Sequence, residues 1–115
     1  MIEMKFFRGL DDGSVHLEFR GHAGTAPKGE DLLCAAETMV AYTAAQAVQF
    51  LQEQGKLRCS PKLQLEDGFA SIVAHPKKDA EAETLLVFWV AQAGAYVLRC
   101  NYPQNVSLLP MGPQA

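Results

Sequence analysis

The chain has 115 residues, 49% of them hydrophobic and 20% charged, with a formal net charge of −3. Such a length and composition describe one globular domain, 1–115, too apolar for disorder, with a core that buries roughly two-thirds of the unfolded surface. The mildly acidic balance excludes an electrostatic footprint for bare nucleic acid, so no direct nucleic-acid partner is expected.

No signal peptide is expected, because Met1 to Phe7 carries Glu3 and Lys5 and lacks a continuous apolar stretch. Leu85 to Val97 is too short to cross a bilayer and contains Gln92 and Gly94, so no membrane partner is expected. Cys34, Cys59 and Cys100 have no paired spacing. Free thiols in a cytoplasmic protein are the simpler reading, and no metal site or cofactor is expected.

The elements follow in chain order. Ile2 to Phe7 reads as a strand, Asp11-Asp12-Gly13 as a turn, and Val15, Leu17 and Phe19 alternate with His16, Glu18 and Arg20 in a second strand. His22 to Glu30 has no period and carries Gly24, Pro27 and Gly29, so a mobile loop is expected there. A long helix follows, with Asp31 as N-cap, Gly55 as stop, and Leu33, Ala36, Val40, Thr43, Ala47, Phe50 and Gln54 as its apolar stripe. Leu63 and Leu65, Asp67-Gly68, and Phe69 to Ala74 form a second hairpin, which His75-Pro76 ends. Asp79 to about Cys100 is a second helix, with Leu86, Val90, Ala93, Val97 and Cys100 as its stripe, widened by Trp89. Val106 to Leu109 is a final strand before a loose tail. The order ββαββαβ predicts an α+β two-layer sandwich, with both helices on one face of a mainly antiparallel sheet.

Chemistry concentrates in GHAGTAPKGEDLLCAA, Gly21 to Ala36. A cysteine is a useful nucleophile as thiolate, and a helix N-terminus and an imidazole both stabilise that form. With Asp31 as cap, Cys34 is the third helical residue and feels the positive end of the helix dipole. His22 and Cys34 are therefore the candidate catalytic pair. His16 occupies an outward strand position and His75 precedes a proline, so neither competes well. Asp31 has two readings, as a third group orienting the imidazole or as a helix cap alone. Thr38 lies one turn below Cys34, placed either to hydrogen-bond near the pair or to bond back to its own helix. Gly24 and Gly29 are candidate hinges, and the Cys34 N–H with another near Gly24 is a candidate oxyanion hole. Cys59 and Cys100 read as structural. Trp89, Phe50 and Phe88 read as core or subunit contacts.

The same stretch resembles the signature of the ribosomal-processing cysteine proteases, the Prp family. The pattern is GHA, a glycine-bearing loop, G-x-D, two aliphatics and CAA. It maps onto Gly21, His22 and Ala23, then Gly29 and Asp31, then Leu32, Leu33, Cys34, Ala35 and Ala36. Size, element order and Tyr102-Pro103 also fit. Two departures stand out: Thr38 replaces a usual serine, and Thr25 stands where an aromatic is frequent. The resemblance implies a cytoplasmic thiol endopeptidase with a Cys–His dyad. Its substrate would be the precursor of large-subunit ribosomal protein twenty-seven, trimmed at its N-terminal extension. The resemblance also implies a homodimer. Gly21, Gly24, Gly29 and Thr38 would shape the substrate loop. A contrasting reading keeps the groove but not the reaction: a non-enzymatic ribosome-associated peptide-binding or assembly module. A small-molecule thiol hydrolase has no cofactor or phosphate motif behind it.

Overall fold

The computed structural model describes residues 1–22 and 32–112. Two strands, β1 (Ile2–Arg8) and β2 (Val15–Arg20), lead to helix α1 (Leu32–Glu53). Then come β3 (Lys62–Glu66), β4 (Phe69–Ala74), a single 3-10 turn at Lys78–Ala80, α2 (Glu81–Asn101) and β5 (Val106–Leu109). The α+β class and the order ββαββαβ are as the sequence predicts.

The five strands form one open, mixed sheet in the order β3-β4-β2-β1-β5. β1 pairs antiparallel with β2, β2 with β4 and β4 with β3, whereas β5 runs parallel to β1. Strand alternation decides which face is covered. Ile2, Met4, Phe6, Val15, Leu17, Phe19, Ala70, Ile72 and Ala74 all turn to one side and are buried, and both helices lie on that side. Phe6 and Phe19 meet edge-on there, with ring centroids 5.8 Å apart.

The helices are turned from the faces the sequence pattern selects, although in α1 Leu33 is buried and Ala36 and Val40 pack against the core as expected. In α1 the buried residues are Leu33, Ala41, Ala44, Ala45, Val48 and Leu51, while Thr43 and Phe50 are exposed. In α2 they are Thr84, Leu85, Phe88, Ala91, Ala95 and Leu98, while Leu86, Val90, Ala93, Val97 and Cys100 are exposed. The cause is that both helices are apolar on more than one side. In α1 close packing on the sheet takes the alanine-rich side, whereas the buried side of α2 carries Leu85, Phe88 and Leu98 beside Ala91 and Ala95. Val40 packs against Gly94, where an added Cβ would come within 3.3 Å of its side chain.

Turn chemistry fixes the ends. Gly55 has φ +70°, with its N–H bonded to Gln52 O and the Lys56 N–H to Leu51 O, a left-handed C-terminal cap for α1. Two expectations are corrected. Cys59 and Cys100 are exposed rather than structural. Met111, in the tail, is buried, its N–H bonded to Gln92 Oε1 at 2.8 Å. Among the described residues no helix is long and apolar enough to cross a membrane.

Phe88 is fully buried where α2 meets the sheet. Phe88→Ala should lower unfolding free energy by about 3–5 kcal/mol. Urea denaturation checks this, and Val90→Ala, on the exposed side of the same helix, should cost far less.

Candidate active site

One end of the sandwich carries the chemistry. β2 ends at Arg20, and the chain turns at Gly21, whose φ is +98°. The Gly21 N–H donates to Gly68 O at 2.9 Å, extending the β2–β4 pairing into the β3–β4 turn. A Cβ at Gly21 would lie 2.3 Å from Met1 O, so only glycine lets β1 pass here. The Met1 amino group in turn donates to His22 O at 2.8 Å. His22 is therefore held through its backbone by β1 and through its ring by the turn. A Cβ built on Gly68, at φ +76°, would stand 2.7 Å from His22 Nε2. The imidazole thus lies over the Gly68 backbone, with its edge exposed to solvent.

Cys34 is the third residue of α1 and is partly buried. That position lies in the first turn, where the helix dipole is positive and favours a thiolate. Thr38 Oγ1 donates to Cys34 O at 2.8 Å, so the hydroxyl bonds back to its own helix. Ala23 to Asp31, and with them Gly24, Gly29 and the readings of Asp31 as third group or cap, lie outside the described residues.

Glu37 lies one turn beyond Cys34 and is half-buried. Burial pushes its carboxyl above the ordinary value, the neighbouring Thr38 hydroxyl pulls it back, and so does the charge of His22. Sequence reading missed Gly68 as the seat of the His22 ring; the available signal was a hairpin glycine at the sheet's end.

His16 and His75 sit at the opposite end of β2. Ser14 Oγ donates to Asp12 Oδ1 at 2.6 Å and lies 2.8 Å from His16 Nε2, and His75 Nε2 is 3.6 Å from Asp12 Oδ2. The Ser14 side chain and then its backbone N–H hold the Asp12 carboxyl down at about 2. This network closes the β1–β2 turn, and it removes both histidines from competition with His22. No cluster able to hold a metal ion occurs among the described residues.

The family model for the cysteine protease Prp matches residues 1–107. A search of curated proteins finds no match. Among solved structures, the chain is similar to an essential ribosomal processing protease Prp from S. aureus in complex with a covalently linked product peptide. That match has 21% identity and a TM-score of 0.71, covering 96% of this chain and 100% of the other. It is also similar to SMU.848 from Streptococcus mutans, with 24% identity and a TM-score of 0.67, covering 96% and 94%. These structural likenesses establish a common fold.

Gly68→Ala should push the His22 ring from its seat and strain the turn. The expected result is a displaced His22 imidazole NMR resonance and a stability loss of about 1 kcal/mol or more. Gly55→Ala is the control: its φ of +70° carries similar strain, but nothing lies within 4 Å of the added Cβ, so the His22 resonance should stay in place.

Proposed function

The chain belongs to the cysteine protease Prp family, and on that premise we propose that it removes the N-terminal extension of large-subunit ribosomal protein twenty-seven during ribosome maturation. The observation that carries this reading is the position of His22. It is seated on Gly68 just past the end of β2, and Cys34 occupies the first turn of α1; these are the two residues of the family signature that can perform acyl transfer.

In the proposed mechanism Cys34 and His22 are a dyad. The Cys34 thiol proton passes to His22, and the sulfur attacks the scissile carbonyl. The peptide C–N bond breaks as the imidazolium gives its proton to the leaving amine, leaving a thioester. Water, deprotonated by His22, then hydrolyses the thioester and frees the thiol. Every step is acid–base and nucleophilic, so the reaction draws on no cofactor. The setting is the cytoplasm, where ribosomes mature.

Cleavage of a synthetic precursor peptide spanning the extension, read by mass spectrometry, tests the reading. Cys34→Ser should abolish turnover with the fold intact, and His22→Ala should slow it about a hundredfold. Wild-type turnover by Cys34→Ser would instead favour the peptide-binding module.

A homodimer is part of the same proposal. An apolar groove of about 370 Å³ runs between α1 and α2 on their outer side, lined by Met39, Val40, Leu86 and Val90 among others. No charged residue interrupts α1 between Glu37 and Glu53, or α2 between Glu83 and Arg99. Exposed Met39, Tyr42, Phe50, Leu86, Val90 and Val97 together present several hundred Å² of surface, on the order of what one partner contributes to a standard interface. Such charge depletion is typical of an interface core. Net negative charge makes an anionic membrane a poor occupant. Sedimentation equilibrium should give twice the 12.6 kDa chain mass, and Val90→Asp should give the chain mass alone.

A further inference from the structure

The sheet has two edge strands, and they differ. β5 has four residues, Pro110 follows it, and the tail beyond is tied to α2 through Gln92 and Met111. β3 is open. Among the described residues it pairs with β4 alone, and its middle, Leu63-Gln64-Leu65, carries no charge.

Hairpin geometry decides which groups face outward there. Asp67-Gly68 is a two-residue turn between the paired Glu66 and Phe69. Those two therefore exchange main-chain hydrogen bonds, and by alternation so do Gln64 with Ser71 and Lys62 with Val73. The N–H and C=O groups of Leu63 and Leu65 are left pointing away from the sheet. The same two residues carry uncovered apolar surface. The inward apolar side chains of β1, β2 and β4 are buried, whereas Leu63 and Leu65 are half-buried.

This edge leads to the proposed dyad. β3 ends in the turn whose Gly68 seats the His22 ring. α1 packs on β3 and β4. It ends beside Pro76, where Leu57 bridges Pro76 and the Lys77 N–H donates to Lys56 O at 2.9 Å. β4 finishes at the same place, so α1 runs in the direction of β4, and its first turn, with Cys34, lies toward the Gly68 end. A strand laid on the free edge sits about 4.8 Å from β3 and draws level with the Gly68 turn about two residues beyond Leu65.

We propose that the outer edge of β3 is the docking strand for the substrate: an extended, uncharged segment of the precursor peptide adds to the sheet through the main-chain groups of Leu63 and Leu65, lays apolar side chains over theirs, and so delivers the scissile bond to the end of the sheet where His22 sits. Main-chain bonds supply affinity in such strand addition, and alternate side chains supply specificity. Peptide residues on the helix side of the sheet meet leucine, and those on the open side meet Lys62, Gln64 and Glu66. This rests on the protease reading.

The first test alters the peptide and leaves the protein as it is. Precursor peptides with a single N-methyl group at successive positions should give kcat/KM values that alternate with a period of two. They should fall about tenfold where the lost N–H pointed at β3 and stay near the unmodified value in between. A response without that alternation overturns the proposal. Leu65→Asn, which keeps the main chain and removes the apolar side chain, should raise KM about tenfold and leave kcat near wild type. The second test is amide hydrogen exchange, read by NMR, in Cys34→Ser with the uncleaved peptide. Leu63 and Leu65 amides should exchange readily in the free protein and about tenfold or more slowly with peptide, while the Gln64 amide is slow in both. Unchanged Leu63 and Leu65 amides overturn the proposal. So does their protection before peptide is added: the edge would then be held by the chain itself or, where protection grows with protein concentration, by a second copy. Failure of the protease reading is distinguishable, because the wild type would not cleave the peptide while exchange at Leu63 and Leu65 would still report docking.

Discussion

The site depends on one junction, where β1, the end of β2 and the β3–β4 turn meet without side chains between them. Gly21 admits the Met1 carbonyl at a distance that excludes a Cβ, and Gly68 admits the His22 ring in the same way. Both glycines have positive φ. The hydrogen bond from Gly21 N–H to Gly68 O ties the two turns together. A histidine following a strand would ordinarily be free to rotate. Here its backbone is bonded by β1 and its ring rests on a neighbouring turn, so ordering it at the moment of reaction costs less entropy.

The rest of the fold packs α1 onto the sheet. Inward side chains of β1, β2 and β4 make a flat apolar floor, and α1 lies on it by an alanine-rich stripe. Alanines allow close approach. Cys34, in the first turn of that helix, is partly buried. At the sheet's end the His22 side chain stays exposed to solvent. The far end of β2 shows the opposite arrangement. There Asp12, Ser14 and His16 satisfy one another's hydrogen bonds and simply close a turn.

Strand alternation made the sheet legible in the sequence. Val15, Leu17 and Phe19 face inward as their period of two requires, and Asp67-Gly68 marks a hairpin that forms as expected. Helix existence was equally clear, because Gly55 and the stretch around Tyr102 end their helices by local rules. Helix orientation was not legible. α2 carries large apolar residues on two sides, and Leu85, Phe88 and Leu98 are buried with Ala91 and Ala95 while Leu86, Val90 and Val97 are exposed. Such a choice depends on inter-element distance, which no local pattern encodes. At the site, GHA and CAA named His22 and Cys34. Gly68 carries no motif beyond its hairpin, since its contact with the His22 ring exists only in the folded chain.

The central claim is that His22 activates Cys34. The three thiols of the chain supply their own comparison, because Cys59 and Cys100 are exposed whereas Cys34 is partly buried. Accessibility alone would make Cys34 the slowest of the three to alkylate. The direct measurement is the rate of iodoacetamide modification at each cysteine at neutral pH, by mass spectrometry, in wild type and in His22→Ala. The account predicts that Cys34 reacts fastest in the wild type and falls behind the other two when His22 is removed. Equal Cys34 rates in the two proteins would contradict it.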